Sequence, residues 1–320
     1  MEQIKVSIIM ACYNEKLEWI KKSINSIINQ TYNNIEIIIV NDNPNNERII
    51  KLLKSYEISD NRVKVILNNE NIGLVKSLNI ALKNTTGDYI ARMDADDISH
   101  FTRIKTQVEF LNKNEEVDIV STYINMIDEY ENITGVCKDN ITKSEDIKKV
   151  LKYKNNFVHP TWMFKKNILQ ILNGYNEIPY AEDYEFLCRA VTNGFNLATI
   201  PEILLDYRVR VNSISNSNRL KQQIMFQIIS NEYKEAIRRN KAINIDADYI
   251  DLNLKSKNLI LIQNKLNNSN KLIYEKKYIK GYLLKLFYIL INSHKRKQLI
   301  NEIKFKINKF IITKNGQIIK

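Results

Sequence analysis

Within about the first 95 residues, apolar β-favouring runs alternate with polar turns and with apolar residues at helical spacing. Val6-Ser-Ile-Ile-Met-Ala-Cys12 stops at Tyr13-Asn14-Glu15, after which Leu17, Ile20, Ile24, Ile27 and Ile28 recur at helical steps up to Gln30. Ile35-Glu-Ile-Ile-Ile-Val40 ends in Asn41-Asp42-Asn43-Pro44, with Pro44 placed for the first turn of the next helix. Val63 to Leu67 runs into Asn68-Asn-Glu-Asn-Ile-Gly73 and a helix through Lys83, and Tyr89 to Met93 is the fourth strand. Near-continuous apolar runs are strands covered on both faces. Alternating with helices, they predict a parallel, doubly wound α/β sheet with polar residues at its carboxyl edge. Past this alternation the order becomes mixed. A helix is expected over Thr102–Asn112, a strand over Asp118–Ile124 and a hairpin through Gly135. An apolar stretch follows at Phe157–Phe164, then a helix over Asp183–Asn193, and Leu205–Arg210 closes the domain.

The fourth strand ends abruptly in three carboxylates, Asp94, Asp96 and Asp97. Like charges crowded into four positions repel one another and raise at least one pKa unless a cation sits among them. A hard divalent ion, Mg²⁺ or Mn²⁺, takes oxygen ligands and bridges carboxylates to phosphates. Asp94-Ala-Asp96 is therefore a candidate metal and diphosphate site, at the strand end where open α/β sheets hold ligands. The competing reading is local: Asp97 or Ser99 caps a helix that begins near Phe101.

Composition narrows the classes. Hydrophobic residues at 44% and charged residues at 26% fit a folded globular protein. Only 7 glycines and 4 prolines disfavour a turn-rich β-sandwich and a glycine-rich phosphate loop. The net charge of +12 is unevenly placed. Residues 1–212 carry 26 basic and 29 acidic residues, and residues 213–320 carry 22 and 7, a net of +15. Cys12, Cys137 and Cys188 form no C-x-x-C pair and read as reduced core residues of a cytosolic protein. No signal-peptide pattern opens the chain. The run Leu286–Ile291 falls far short of the ~20 residues that span a bilayer.

In such a sheet Tyr13-Asn14-Glu15, Asp42 and Asp94-Ala-Asp96 converge, a set that suits a nucleoside diphosphate. Neither a dinucleotide fingerprint nor a P-loop is present, so an ion must neutralise the phosphates.

The sequence resembles the family 2 inverting glycosyltransferases of the GT-A fold over roughly residues 4 to 212. The resemblance runs through Val6 to Glu15, Ile39-Val-Asn-Asp-Asn43, Asn71-Ile-Gly-Leu74, Gly87 to Asp97, Ala181-Glu-Asp-Tyr-Glu185 and Tyr207-Arg208. It implies a Rossmann-like, mostly parallel mixed sheet with helices on both faces. It also implies a catalytic domain over 1–212 and a basic helical appendage over 213–320. By the resemblance Tyr13, Glu15 and Asp42 bind the nucleoside, usually uridine, and Asn71 and Arg92 stand with them in the donor site. Asp94 and Asp96 form the D-x-D motif that holds Mn²⁺ or Mg²⁺ and diphosphate, and Asp183 is the catalytic base. That base is needed because in an inverting transfer the acceptor hydroxyl attacks opposite the leaving diphosphate and must lose its proton. Family members of this type move a hexose or N-acetylhexosamine from a UDP-sugar to a lipid-diphosphate-linked acceptor, in capsular polysaccharide, O-antigen or exopolysaccharide synthesis.

The sequence also departs from the family pattern. Arg210 stands where many relatives have a histidine, and with Arg208 it can pair with phosphate oxygens. Ala11-Cys12 replaces a common hydroxyl residue, and His100-Phe101-Thr102 lacks a common proline. His159 reads as a structural histidine, and Trp162 and Tyr184 as core aromatics more than sugar platforms. The basic tail, with Tyr274, Tyr278, Tyr282, Phe287 and Tyr288 among lysines, suits an anionic membrane surface, or else a solvated helical appendage packed on the first domain. Without a recognised motif, nucleic acid is not expected. Two rivals to sugar transfer remain: a metal-dependent nucleotidyltransferase on a similar sheet, and a catalytically idle nucleotide-sugar-binding protein.

Overall fold

A computed structural model describes residues 4–210 and 219–245. Along the chain run β1 (Val6–Cys12), α1 (Leu17–Ile28), β2 (Ile35–Asn41), α2 (Glu47–Ser59), β3 (Val63–Leu67), α3 (Leu74–Lys83) and β4 (Tyr89–Asp94). Then come β5 (Ile98–Ser99), α4 (Arg103–Lys113), β6 (Ile119–Ile127), β7 (Ile133–Cys137), α5 (Ser144–Leu151), β8 (Met163–Lys165), α6 (Leu169–Leu172), α7 (Glu182–Thr192), β9 (Leu197–Arg208) and α8 (Arg219–Arg239).

The expected alternation holds from β1 to β4. Strands β3, β2, β1 and β4 lie side by side in that order and all parallel, with Ala11 opposite Asp94 where β1 and β4 finish. The sheet continues through β8, β6, β9 and β5, with β7 paired to β6, and here the directions are mixed. Ile8 and Met10 of β1 share one buried cluster with Ile20, Ile24 and Ile27 of α1. Ile9 between them is equally buried, so both sheet faces are covered. Truncating one such isoleucine to alanine costs about 2–5 kcal/mol.

The expected Pro44 helix start is displaced. α2 begins at Glu47, and Asn46 caps it by accepting the Ile49 N–H at 3.2 Å, so the local side-chain cap rather than the proline sets the boundary. The competing reading, in which Asp97 or Ser99 caps a helix near Phe101, is overturned. α4 starts at Arg103 behind Thr102, and Asp97 is spent on the backbone of β9. Cys12 and Cys188 are buried as expected, whereas Cys137 is exposed because it lies on β7, whose residues are largely exposed. His159, Trp162 and Tyr184 are buried. His159 pairs with the Tyr175 hydroxyl at 2.8 Å, and burial holds its imidazole well below the usual range.

The chain forms two compact units. The first comprises Met1–Lys148, Asn155–Glu177 and Arg189–Val211, and contains the sheet. The second gathers Lys149–Lys154, Ile178–Cys188 and Asn212–Lys320. Within it Tyr184 stacks on Phe226 of α8 with ring centroids 4.4 Å apart, and Ser230 donates to the Lys152 carbonyl at 2.7 Å. The tail aromatics from Tyr274 to Tyr288 lie outside the described residues. Among the described residues, no helix is long and apolar enough to cross a membrane.

Candidate active site

The parallel register fixes the site. Because β1 and β4 end level, the turn carrying Asp94, Asp96 and Asp97 lies beside the turn carrying Tyr13 and Glu15. Each aspartate is held differently. Asp94 is half-buried and ion-paired to Arg92, two residues back on the same strand, and Ser23 of α1 donates to its carbonyl at 2.7 Å. Asp96 is buried and takes Arg210 Nε on its Oδ2 at 2.7 Å. Asp97 is buried, and its Oδ1 accepts the Arg208 N–H at 2.8 Å while its Oδ2 has no hydrogen-bond partner.

Carboxylate oxygens of the three residues lie within 4.8 Å of one another. Burial first, then the charge of Asp94, with Glu15 adding to it, pushes Asp96 up to about 7 against the pull of Arg210. Burial, then Asp94 and Asp96, hold Asp97 well above the carboxylate range. Cys12 registers the same field. Burial raises its thiol first, and Glu15, Asp96 and Asp94 add to the effect. A cluster of hard oxygen donors, with one orphaned buried oxygen and a carboxyl group that holds its proton to near neutrality, fits a divalent cation of the Mg²⁺ or Mn²⁺ kind.

Cations surround the cluster without saturating it. Arg92 is buried, and its Nε and Nη1 have no hydrogen-bond partner. Arg103, at the start of α4, is also fully buried and donates to the Arg92 carbonyl at 2.6 Å. Burial lowers its guanidinium to about 9. Arg208 braces the turn: its Nε donates to the Asp96 carbonyl at 2.8 Å, its Nη1 to the Asp128 carbonyl at 3.0 Å and its Nη2 to the Glu131 carboxylate at 3.2 Å. The indole of Trp19 lies under both Arg208 and Arg210, at 5.0 and 5.9 Å from the guanidinium carbons. Sequence reading missed Trp19 and Arg103. The only signal for Trp19 was a large aromatic in the first turn after the Tyr13-Asn14-Glu15 loop.

The expected nucleoside residues occupy the adjacent strand ends. Tyr13 is 48% exposed, and its N–H donates to Glu15 Oε2 at 2.8 Å. The Asp42 N–H donates to the Cys12 carbonyl at 2.7 Å, which ties the end of β2 to that of β1. The buried Asp42 carboxylate accepts from Asn68 at 2.8 Å, Ile72 at 2.9 Å and Gly73 at 2.8 Å. Asp42 thus shapes the loop before α3, and roughly one of its four lone-pair positions is left over. Asn71, exposed in that loop, accepts the Gly73 N–H at 3.1 Å. Asp183 belongs to the second compact unit. It is half-buried in the first turn of α7, beside Glu182 and Glu185, and its Oδ1 accepts the Tyr184 N–H at 2.7 Å.

Comparison with known proteins identifies the fold and the family. The solved structures of S. aureus TarS 1–349 in complex with UDP (TM-score 0.57, 16% identity, 98% of this chain and 92% of that one) and of the mannosyltransferase PcManGT from Pyrobaculum calidifontis in complex with GDP-Man and Mn²⁺ (TM-score 0.56, 16% identity, 97% and 86%) share the fold, which is GT-A. Among curated relatives, an uncharacterized glycosyltransferase of Haemophilus influenzae is 32% identical over 98% of this chain and 95% of its own length. The Escherichia coli O-antigen biosynthesis glycosyltransferase WbnJ is 36% identical over 66% and 82%. An Escherichia coli UDP-Gal:alpha-D-GlcNAc-diphosphoundecaprenol beta-1,3-galactosyltransferase is 29% identical over 69% and 80%. The family described as Glycosyl transferase family 2 matches residues 7–172, a span that runs from β1 through β8 and includes the whole aspartate turn. With more than half of its length matched in this way, the chain belongs to glycosyl transferase family 2.

Proposed function

We propose that this glycosyltransferase moves a hexose or N-acetylhexosamine from a UDP-sugar to a lipid-diphosphate-linked glycan, with inversion, in surface-polysaccharide synthesis. The observation that carries the reading is the convergence of Glu15, Asp94, Asp96 and Arg210 at level strand ends, a charge pattern made for a diphosphate and a divalent cation. The named activities of the relatives, O-antigen synthesis and β-1,3-galactosyl transfer to a diphosphoundecaprenol-linked sugar, point the same way.

In this reading Tyr13 covers the base, and Glu15, with the Asn68–Gly73 loop that Asp42 organises, holds base and ribose. Asp94 and Asp96 bind Mn²⁺ or Mg²⁺, which when present stabilises charge on the departing diphosphate. Arg210 reaches the phosphates, while Arg92 and Arg208 hold Asp94 and the Asp96 backbone in place. Asp183 takes the proton of the acceptor hydroxyl as the new bond forms. The basic region 213–320 places the enzyme against the anionic inner face of a membrane, where a lipid-linked acceptor resides.

The deciding experiment incubates the protein with Mn²⁺, a lipid-diphosphate sugar acceptor and a panel of UDP- and GDP-sugars, and measures released nucleoside diphosphate and glycosylated lipid. One UDP-sugar is expected to support transfer. Asp183→Asn is expected to lower the rate about 10²–10⁴-fold while donor binding persists. Release of pyrophosphate from a nucleoside triphosphate, or full activity in Asp183→Asn, would sink the proposal. Failure of the full chain to sediment with anionic vesicles at low salt would remove its membrane part.

A further inference from the structure

Arg208 and Arg210 leave the end of β9 two residues apart and share the Trp19 indole, yet they differ in exposure and in the charge they meet. The Arg208 side chain is 0% exposed and is fixed by the Asp96, Asp128 and Glu129 carbonyls and the Glu131 carboxylate. The Arg210 side chain is 29% exposed, and its Nε grips Asp96 Oδ2 at 2.7 Å. Asp96, the carboxylate expected to face a divalent cation, therefore already holds a cation belonging to the chain itself. A guanidinium and a divalent ion on one buried carboxylate repel each other at short range. The planar guanidinium fork also matches phosphate oxygens better than it matches one carboxylate oxygen.

We propose that Arg210 is an exchangeable counter-ion: it neutralises Asp96 while no donor is bound, and it leaves that carboxylate for the donor diphosphate as a divalent cation is taken up. The inference rests on the reading of this site as one for a nucleoside diphosphate and a cation. The exchange makes cation and nucleotide binding mutually reinforcing, because each favours the position of Arg210 that the other needs. It also gives the exposed part of the side chain a use, and Trp19 keeps the guanidinium nearby in either position. Arg208, locked on both sides, cannot substitute for it.

The test titrates the full chain and its Arg210→Ala and Arg210→Gln variants with Mn²⁺ alone, following the paramagnetic resonance of free Mn²⁺, and then with UDP at saturating Mn²⁺ by calorimetry. Circular dichroism identifies which variant is folded, and either one suffices. Removing the internal competitor is expected to tighten Mn²⁺ binding about five- to tenfold while weakening UDP binding by at least as much. Unchanged or weaker Mn²⁺ binding overturns the exchange, whatever happens to UDP. If the wild-type chain binds no UDP, the nucleotide reading fails and the exchange fails with it. If UDP binds and only the Mn²⁺ effect is missing, the exchange fails alone.

Discussion

Glu36 and Asp96 sit at opposite ends of the same parallel sheet, roughly 16 Å apart along the strands, and the chain treats them in opposite ways. At the amino edge, Glu36 of β2 accepts from the Thr86 N–H at 2.6 Å, the Thr86 hydroxyl at 2.8 Å and the Ser7 hydroxyl at 2.5 Å, and it pairs with Lys5 at 2.9 Å. Burial works to raise its pKa, but these donors win and bring it to about 2. At the carboxyl edge, burial and neighbouring acids drive Asp96 to about 7. One edge supplies the complement of its charge and becomes a clamp. The other supplies too little, since Arg92 and Arg210 do not outweigh burial and three crowded acids, and the remaining positive charge is what a ligand would bring. A buried carboxylate therefore says little by itself; its donors decide whether it is structure or site.

The sharpest way to break this contrast is Asp94→Ala, because Asp94 is the member of the carboxyl edge that already has a buried partner. Removing it leaves the buried Arg92 guanidinium without its ion pair. Transfer should fall by about 10²–10³-fold, and thermal unfolding should show a loss of about 3–5 kcal/mol. Unchanged stability would mean that Arg92 does not depend on Asp94. Gly87→Ala probes the opposite edge. A Cβ there would meet the Lys5 carbonyl and the Ser7 nitrogen at 2.7 Å, both backbone atoms. It should cost about 3 kcal/mol and leave activity per folded molecule unchanged.

Glu36→Gln follows, with a loss of about 2 kcal/mol at pH 7, reduced from the value the full pKa depression would give because the group is partly exposed. The sign is fixed by linkage. A depressed carboxylate stabilises fully above its ordinary value of 4.5, and that stability fades as pH falls towards 2. Melting curves of wild type and variant should therefore converge over that window. Asp96→Asn should do the reverse. An acid held up to about 7 costs stability increasingly as pH rises from its ordinary 3.8, so in EDTA at pH 8 the variant should gain about 1–2 kcal/mol while losing metal-dependent donor binding. Destabilisation at pH 8 would show that Arg210 fully compensates Asp96.

Much of this was legible in the sequence, for physical reasons. The runs at β1, β2 and β4 were long, apolar and separated by helical periodicity, so a parallel α/β sheet with converging carboxyl ends followed, whereas the strand order came only with the structure. Asp94, Asp96 and Asp97 announced themselves by crowding. Asp97 was half-misread, because a short acid shortly before a helix looks like a cap wherever its side chain turns. Its actual partner, the Arg208 N–H, lies 111 residues away. The role of Glu36 had no local signal, since its partners Ser7 and Thr86 come from other segments. Arg208 and Arg210 looked alike for the same reason. Of the groups that immobilise the first, the Asp128 carbonyl and the Glu131 carboxylate belong to the β6–β7 turn, which no local pattern connects to β9.

That turn has a consequence of its own. Arg208 joins the tip at Asp128 and Glu131, where Tyr130 is 87% exposed, to the Asp96 carbonyl, so one rigid side chain links open surface to the acid turn. Lys22 of α1 grips the same Glu131 from the other side at 2.5 Å. An antibody fragment or a designed peptide that pried up this tip would loosen the brace that Arg208 places on the Asp96 carbonyl. The hairpin is thus a remote handle on the acid turn, reached from open surface.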